Sequence, residues 1–163
     1  MFLVDSNVLI EAKNRYYAFD IAPGFWSWLD YAYSNLIACS IEQVREELTY
    51  SRDELAKWCQ GNPGFFRPVD AAAVAHFGEL TRWVNSRSYT QGAIAEFVSD
   101  AADFYLIAYA RAHNHTVVTH EKPRPEARNR VLIPDACVAL GVAYTDTFSM
   151  LRDSRARFSL TPA

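Results

Sequence analysis

Met1-Phe2-Leu3-Val4-Asp5-Ser6-Asn7-Val8-Leu9-Ile10 opens the chain. Its first four residues are a short apolar run of the kind that fits a strand buried on both faces. Asp5 ends that run, and Val8 to Ala12 reads as a short helix. The stretch therefore predicts a strand, an acid at its carboxyl end, and a helix. Asp5 is open to two readings at this point: an N-cap of that helix, or a carboxylate held beyond the end of a buried strand.

The same alternation recurs along the chain. A helix rich in Trp and Tyr is predicted near Ala22 to Tyr33, entered at Pro23-Gly24. A second strand follows at Leu36 to Ser40, with Ser40 as the N-cap of a helix from Ile41. A helix near Asp53 to Cys59 stops at Gly61-Asn62-Pro63-Gly64. Residues 71–85 read as one helix with Val74, Phe77, Leu80, Thr81 and Val84 on one face. Ser88 to Gly92 is a polar loop. A helix from about Asp100 to His113 carries Leu106, Ile107 and Ala110 on one stripe, and Thr116 to Thr119 is a third, β-branched strand. Lys122 to Arg130 is a charged, proline-bearing exposed loop. Val131-Leu132-Ile133 is expected to be a fourth strand, closed by Pro134, with a short helix after Asp135. Tyr144 to Arg152 is expected to be a last helix. Strands separated by helical crossovers predict a parallel sheet with helices on both faces, whose sites form beyond the strands' carboxyl ends. One domain over residues 1–163, with a tail from about 153, accounts for the length.

Half the residues are hydrophobic and 14% are aromatic, enough for a real core and against disorder. A net charge of −3 excludes the strongly basic class of nucleic-acid binders, so any such contact must use a local patch. Cys39, Cys59 and Cys137 have no metal-binding spacing and read as reduced thiols of a cytoplasmic protein. Asp5 interrupts what a signal peptide would need, and no apolar run approaches the roughly 20 residues of a membrane span.

Four acids stand where apolar segments meet helices or turns: Asp5, Glu47, Asp103 and Glu121. In a parallel sheet they converge at one end. Crowded carboxylates repel, and an unpaired buried charge is costly or shifts its pKa. A bound Mg²⁺ or Mn²⁺ removes that conflict, because hard cations take oxygen ligands. The chemistry that follows is phosphodiester hydrolysis. Each acid also has a plain structural reading: a cap for Asp5, a solvated surface for Glu47 beside Glu46, a strand-end charge for Glu121. Asp103 is the exception, since it shares the apolar stripe of its helix. Asp100 reads as a cap or accessory.

Phe2-Leu3-Val4-Asp5-Ser6-Asn7-Val8-Leu9-Ile10 resembles the opening of PIN-domain ribonucleases. Val44-x-x-Glu47-Leu48 resembles their second-acid helix. Asp103-x-x-Leu106-Ile107-Ala108-x-Ala110 and Val117-Val118-Thr119-His120-Glu121 resemble their third-acid helix and the strand after it. The resemblance spans roughly residues 1–150, and the Ile133-Pro134-Asp135-Ala136-Cys137 segment is similar to a poorly characterised PIN-like subfamily. It implies a three-layer α/β/α sandwich around a parallel sheet, and Mg²⁺- or Mn²⁺-dependent cleavage of RNA. For many bacterial members it also implies the toxin of a toxin–antitoxin pair, with a cognate antitoxin as partner and a homodimer as assembly. Asp5, Glu47 and Asp103 would be the core metal-binding acids and Glu121 the fourth, a position usually held by aspartate. Asn7 and Thr119 would hold the carboxylates or a metal-bound water by hydrogen bonding. Asp135 is an alternative fourth acid.

His120 alternates to the face opposite Glu121 and reads as a structural histidine. His113 and His115 suit a helix C-terminus. Lys122, Arg124, Arg128 and Arg130 would hold RNA phosphates if their loop borders the cleft. Trp26, Trp28, Tyr31 and Tyr33 either stack bases or form a protein interface. Two other functions compete: a catalytically silent PIN-like binding module, and a phosphatase with Asp5 as nucleophile. The latter wants an aspartate where Asn7 stands.

Overall fold

A computed structural model describes residues 1–99 and 102–159. Its centre is a five-stranded sheet: β1 Phe2–Val4, β2 Ala38–Ile41, β3 Phe66–Arg67, β4 Thr116–Val118 and β5 Tyr144–Thr145. The strand order is β3-β2-β1-β4-β5 and every pairing is parallel. Leu3 faces Cys39 on one side and Val117 on the other. Leu3, Val4, Ala38, Cys39, Val117 and Val118 are all fully buried, as expected for strands covered on both faces. The helices that cover them complete a three-layer α/β/α sandwich.

The helices are α1 Ser6–Glu11, α2 Pro23–Ser34, α3 Glu42–Thr49, α4 Glu54–Gly61, α5 Ala71–Val74, α6 Phe77–Asn85, α7 Gln91–Ser99, α8 Ala102–His113, α9 Ile133–Leu140 and α10 Thr147–Asp153. A π-helical turn, Ala12–Tyr16, extends α1. Between α4 and β3, a Cβ on Gly64 would run into the Tyr33 hydroxyl, so a larger residue there would have to displace the half-buried Tyr33 ring. Gly141 closes α9 in the left-handed conformation, φ 65°, a position glycine takes without penalty.

Several expectations need correction. Ser40 does not cap α3. It lies inside β2, and its hydroxyl donates to the Val4 carbonyl at 2.6 Å. Extended Ile41 is the cap residue, so α3 leaves β2 with no loop between them. Val131 to Ile133 is not a strand: Leu132 is the extended cap residue of α9, and Pro134 sits in its first turn, where a missing N–H does no harm. Residues 71–85 divide into α5 and α6, and Val74 is left half exposed. Tyr144 belongs to β5, and α10 starts later because the Asp146 side chain accepts from Ser149 N. The polar loop before Gly92 is shorter than expected, because Thr90 accepts from Ala93 N and starts α7. The expected helix start at Asp100 lies outside the described residues.

Candidate metal centre

The direction of chain progression across the sheet reverses between β1 and β4, which is where ligands enter open α/β sheets. Asp5 follows β1 and Thr119 follows β4, so they flank this switch point from adjacent strands. Asp5 N donates to the Val118 carbonyl at 3.0 Å, which holds the residue against β4. Asp5 occupies the cap position of α1 (φ −77°, ψ 155°), yet its side chain makes no capping bond. The carboxylate turns instead to Thr119, whose Oγ1 donates to Asp5 Oδ2 at 3.0 Å.

The direction of that bond is set by its neighbours. Thr119 Oγ1 accepts from Asn7 Nδ2 and from Glu121 N, each at 3.2 Å. A hydroxyl has two acceptor positions and one proton. With both acceptor positions filled by N–H donors, the proton is left for Asp5. Asn7 is positioned in turn by His120 N, which donates to Asn7 Oδ1 at 3.2 Å.

Asp5 is 1% exposed, at the wall of a cleft of about 400 Å³ that Asn7, Glu47, Glu96, Asp103, Phe97 and Arg130 also line. Burial, then the charge of Asp103, pushes the Asp5 carboxyl up to about 8; the Thr119 hydrogen bond partly offsets this. Asp103, in the first turn of α8 and half-buried, is pushed up to about 7 by burial and then by Glu121 and Glu47. Arg130 opposes that rise and Glu96 adds to it. The cleft thus holds more negative charge than its cations compensate.

Glu47 reaches the cleft from the exposed side of α3. Glu121 stands behind the cleft wall with both oxygens engaged. One accepts from Arg130 Nη2 and the other from Ile133 N at the start of α9, both at 2.8 Å. Asp135 is also occupied, accepting Arg124 N at 3.1 Å. Glu96 was not anticipated. It lies on α7 between Ala93 and Phe97, whose buried side chains face the core. Reading residues 91–99 as an amphipathic helix would have placed Glu96 beside the apolar face.

The donors around Asp5 are oxygens, with neither Cys nor His among the cleft residues. This set suits a hard divalent cation. Among the described residues no group of three or more His, Cys, Asp and Glu closes to metal-ligand spacing. Carboxylates that stand apart across a cleft still fit Mg²⁺, which keeps several waters and takes only one or two carboxylates directly.

His120 points away from the cleft. It pairs with Thr147 at 2.9 Å and Glu11 at 3.6 Å, and its ring stacks on Tyr16. Trp26 and Trp28 are buried in the core, leaving Tyr31 as the most exposed aromatic of α2 at 57%. Of the four aromatics weighed from the sequence, Trp26 and Trp28 are therefore core, Tyr33 is half-buried and Tyr31 is exposed. Among the described residues no helix is long and apolar enough to cross a membrane.

A family model described as Domain of unknown function (DUF4411) matches residues 2–158. VapBC2 from Rickettsia felis, in a crystal structure bound to a DNA fragment from its promoter, is similar with a TM-score of 0.55 and 15% identity, over 89% of this chain and 97% of that one. FitAcB from Neisseria gonorrhoeae is similar with a TM-score of 0.51 and 18% identity, over 88% and 96%. At such identities the likeness is one of fold, and the fold is PIN-like. No curated protein matches the sequence.

Proposed function

We propose that this chain, which belongs to the DUF4411 family, is a nuclease that hydrolyses RNA phosphodiester bonds with Mg²⁺ or Mn²⁺ at the cleft beyond β1 and β4. The observation that carries the reading is the electrostatic state of that cleft. A carboxylate as buried as Asp5, beside a second at Asp103, with Glu47 and Glu96 adding charge, is unfavourable for folding alone. Strongly perturbed carboxyls in a cleft mark candidate functional sites.

A divalent cation, when bound, would neutralise these carboxylates and supply Lewis-acid activation for phosphodiester cleavage. Asp5 and Asp103 are the residues to hold it, with Glu47 and Glu96 reaching in from α3 and α7. Thr119 and Asn7 orient Asp5, as partners behind a metal ligand do. Glu121 is the provisional fourth acid. In the geometry described it fixes Arg130 and α9, and so acts on the site through its charge and through Arg130. Arg130 lies where it can hold a phosphate oxygen.

The reading extends to biology by resemblance and by the company of its structural neighbours. A toxin role with a cognate antitoxin, a homodimeric assembly and a cytoplasmic location all belong to the same proposal. The test is cleavage of a labelled RNA by purified protein with Mg²⁺ or Mn²⁺. Activity is expected to vanish with EDTA and to fall at least a hundredfold in Asp5→Asn and Asp103→Asn. Cleavage unchanged in both variants would overturn the reading. A second reading, a catalytically silent binding module, is favoured by the lack, among the described residues, of three His, Cys, Asp or Glu side chains at metal-ligand spacing. Titration calorimetry showing no Mg²⁺ or Mn²⁺ binding would select it.

A further inference from the structure

The segment 122–130 forms a strap that is pinned at both ends and basic along its length. Asp135 accepts Arg124 N, Thr90 N donates to the Arg128 carbonyl at 2.8 Å, and Arg130 is tied to Glu121. Its backbone is fixed while its cationic side chains are exposed. Among the described residues Lys122, Arg124 and Arg128 have no ion-pair partner, although Glu126 lies in the same strap. Unpaired cations on a fixed backbone are what phosphate recognition needs.

Three cavities are neighbours through shared lining residues. Arg130 lines both the acidic cleft and a second cavity of about 570 Å³ that Lys122, Arg124 and Arg128 also line. Arg128 in turn lines a third cavity of about 230 Å³, shared with exposed Arg87. A row of cavities that share lining residues thus runs from the acidic cleft past Arg130, Arg124, Arg128 and Arg87 in a protein whose net charge is −3.

We propose that this strap is the track along which a single-stranded RNA leaves the cleft, its backbone phosphates held by Lys122, Arg124 and Arg128. The inference rests on the nuclease reading for the identity of the polymer. Asp5 is almost wholly buried at the end of the row. A stiff duplex is too wide to enter a recess of about 400 Å³, whereas an unpaired strand can bend one phosphate into it. Charge favours a polyanion over an acidic protein segment, because the cations are spaced along a groove that opens from carboxylates able to bind a cation.

The test uses the full chain carrying Lys122→Gln, Arg124→Gln and Arg128→Gln, with Lys57→Gln, Arg15→Gln and Arg157→Gln as a control. The control removes equal charge at exposed positions outside these cavities. Affinity for an unstructured RNA of about 12 nucleotides, within the range of single-strand sites, is measured in EDTA across salt concentrations, so that cleavage plays no part. The strap variant is expected to bind at least tenfold more weakly. Its log–log salt slope should be shallower by roughly 2, at about 0.7 per phosphate contact. The control should keep the parent slope. Matching thermal melts confirm that both variants fold. Equal RNA affinity and slope in the parent and strap variant overturn the proposal, as does tighter binding of polyglutamate or of DNA of the same sequence than of RNA. Loss of RNA binding in the strap variant, with no cleavage by the parent under any metal, keeps the track and rejects the nuclease.

Discussion

Replacing Asp5 with asparagine is expected to stabilise the metal-free protein while abolishing its chemistry. The Asp5 carboxyl rises from 3.8 to about 8 because it is buried beside Asp103. The folded state therefore binds this proton more tightly than the unfolded chain does. Stability is full below about pH 4, declines as pH rises, and levels off above about pH 8. Each unit is worth about 1.4 kcal/mol. At pH 7 the solution lies roughly three units above the ordinary carboxyl value, so the penalty is about 4 kcal/mol. Asparagine keeps an oxygen for the Thr119 hydroxyl but carries no charge, and loses part of the gain where its amide nitrogen replaces Oδ1. A net gain of about 2–4 kcal/mol corresponds to a melting point roughly 5–10 °C higher in EDTA. The assay is thermal denaturation of both proteins from pH 5 to 9, with EDTA and with saturating Mg²⁺. The metal should raise the parent's melting point and leave the variant's nearly unchanged, closing the gap between them. A parent protein with flat stability from pH 5 to 9, or a variant no more stable than the parent in EDTA at pH 8, would refute the electrostatic account of the cleft.

Thr119→Val removes the proton aimed at Asp5 and strands the Asn7 and Glu121 donors. Affinity for Mn²⁺ is expected to fall by about 10–100-fold, read by calorimetry, with Thr119→Ser recovering most of it. Glu121→Gln weakens the bond to Arg130 and the hold on the first turn of α9; a loss of about 1 kcal/mol is expected by chemical denaturation. Leu106→Ala, at a fully buried position of α8, should cost about 2–5 kcal/mol. Because Asp103 lies one turn away, the same variant should lower metal affinity once the fold is stabilised with osmolyte.

The sequence made the centre of the sheet plain and its margins obscure, for physical reasons. β1 and β4 are runs closed by the polar residues Asp5 and Thr119, and β2 is legible from its apolar start although Ser40 lies inside it; the pattern survives because both faces are buried. β3 and β5 are two residues long, too short to carry a period. Val131 and Ile133 imitate a strand because they are buried, yet their backbone leads into α9. Asp5 was legible from its motif, and Asp103 from its place on an apolar stripe. The engagement of Glu121 with Arg130 and Ile133 depends on a loop closing back on the strand, which no local pattern encodes. Glu96 was hidden by Gly92, which breaks the helical pattern at a first-turn position where glycine is tolerated.

The hydroxyl that aims its proton at Asp5 comes from a residue 114 positions later in the chain. β1 and its acid leave the ribosome well before the partner that orients that acid, which arrives only after β4 has been made and docked. Parallel pairing over such a separation is slow to form. The acidic centre is therefore assembled late, and a nascent chain that ends before Thr119 carries Asp5 without the bond that orients it. Synthesis itself would act as a timer, keeping the cleft incomplete until β4 and Thr119 are in place to enclose it.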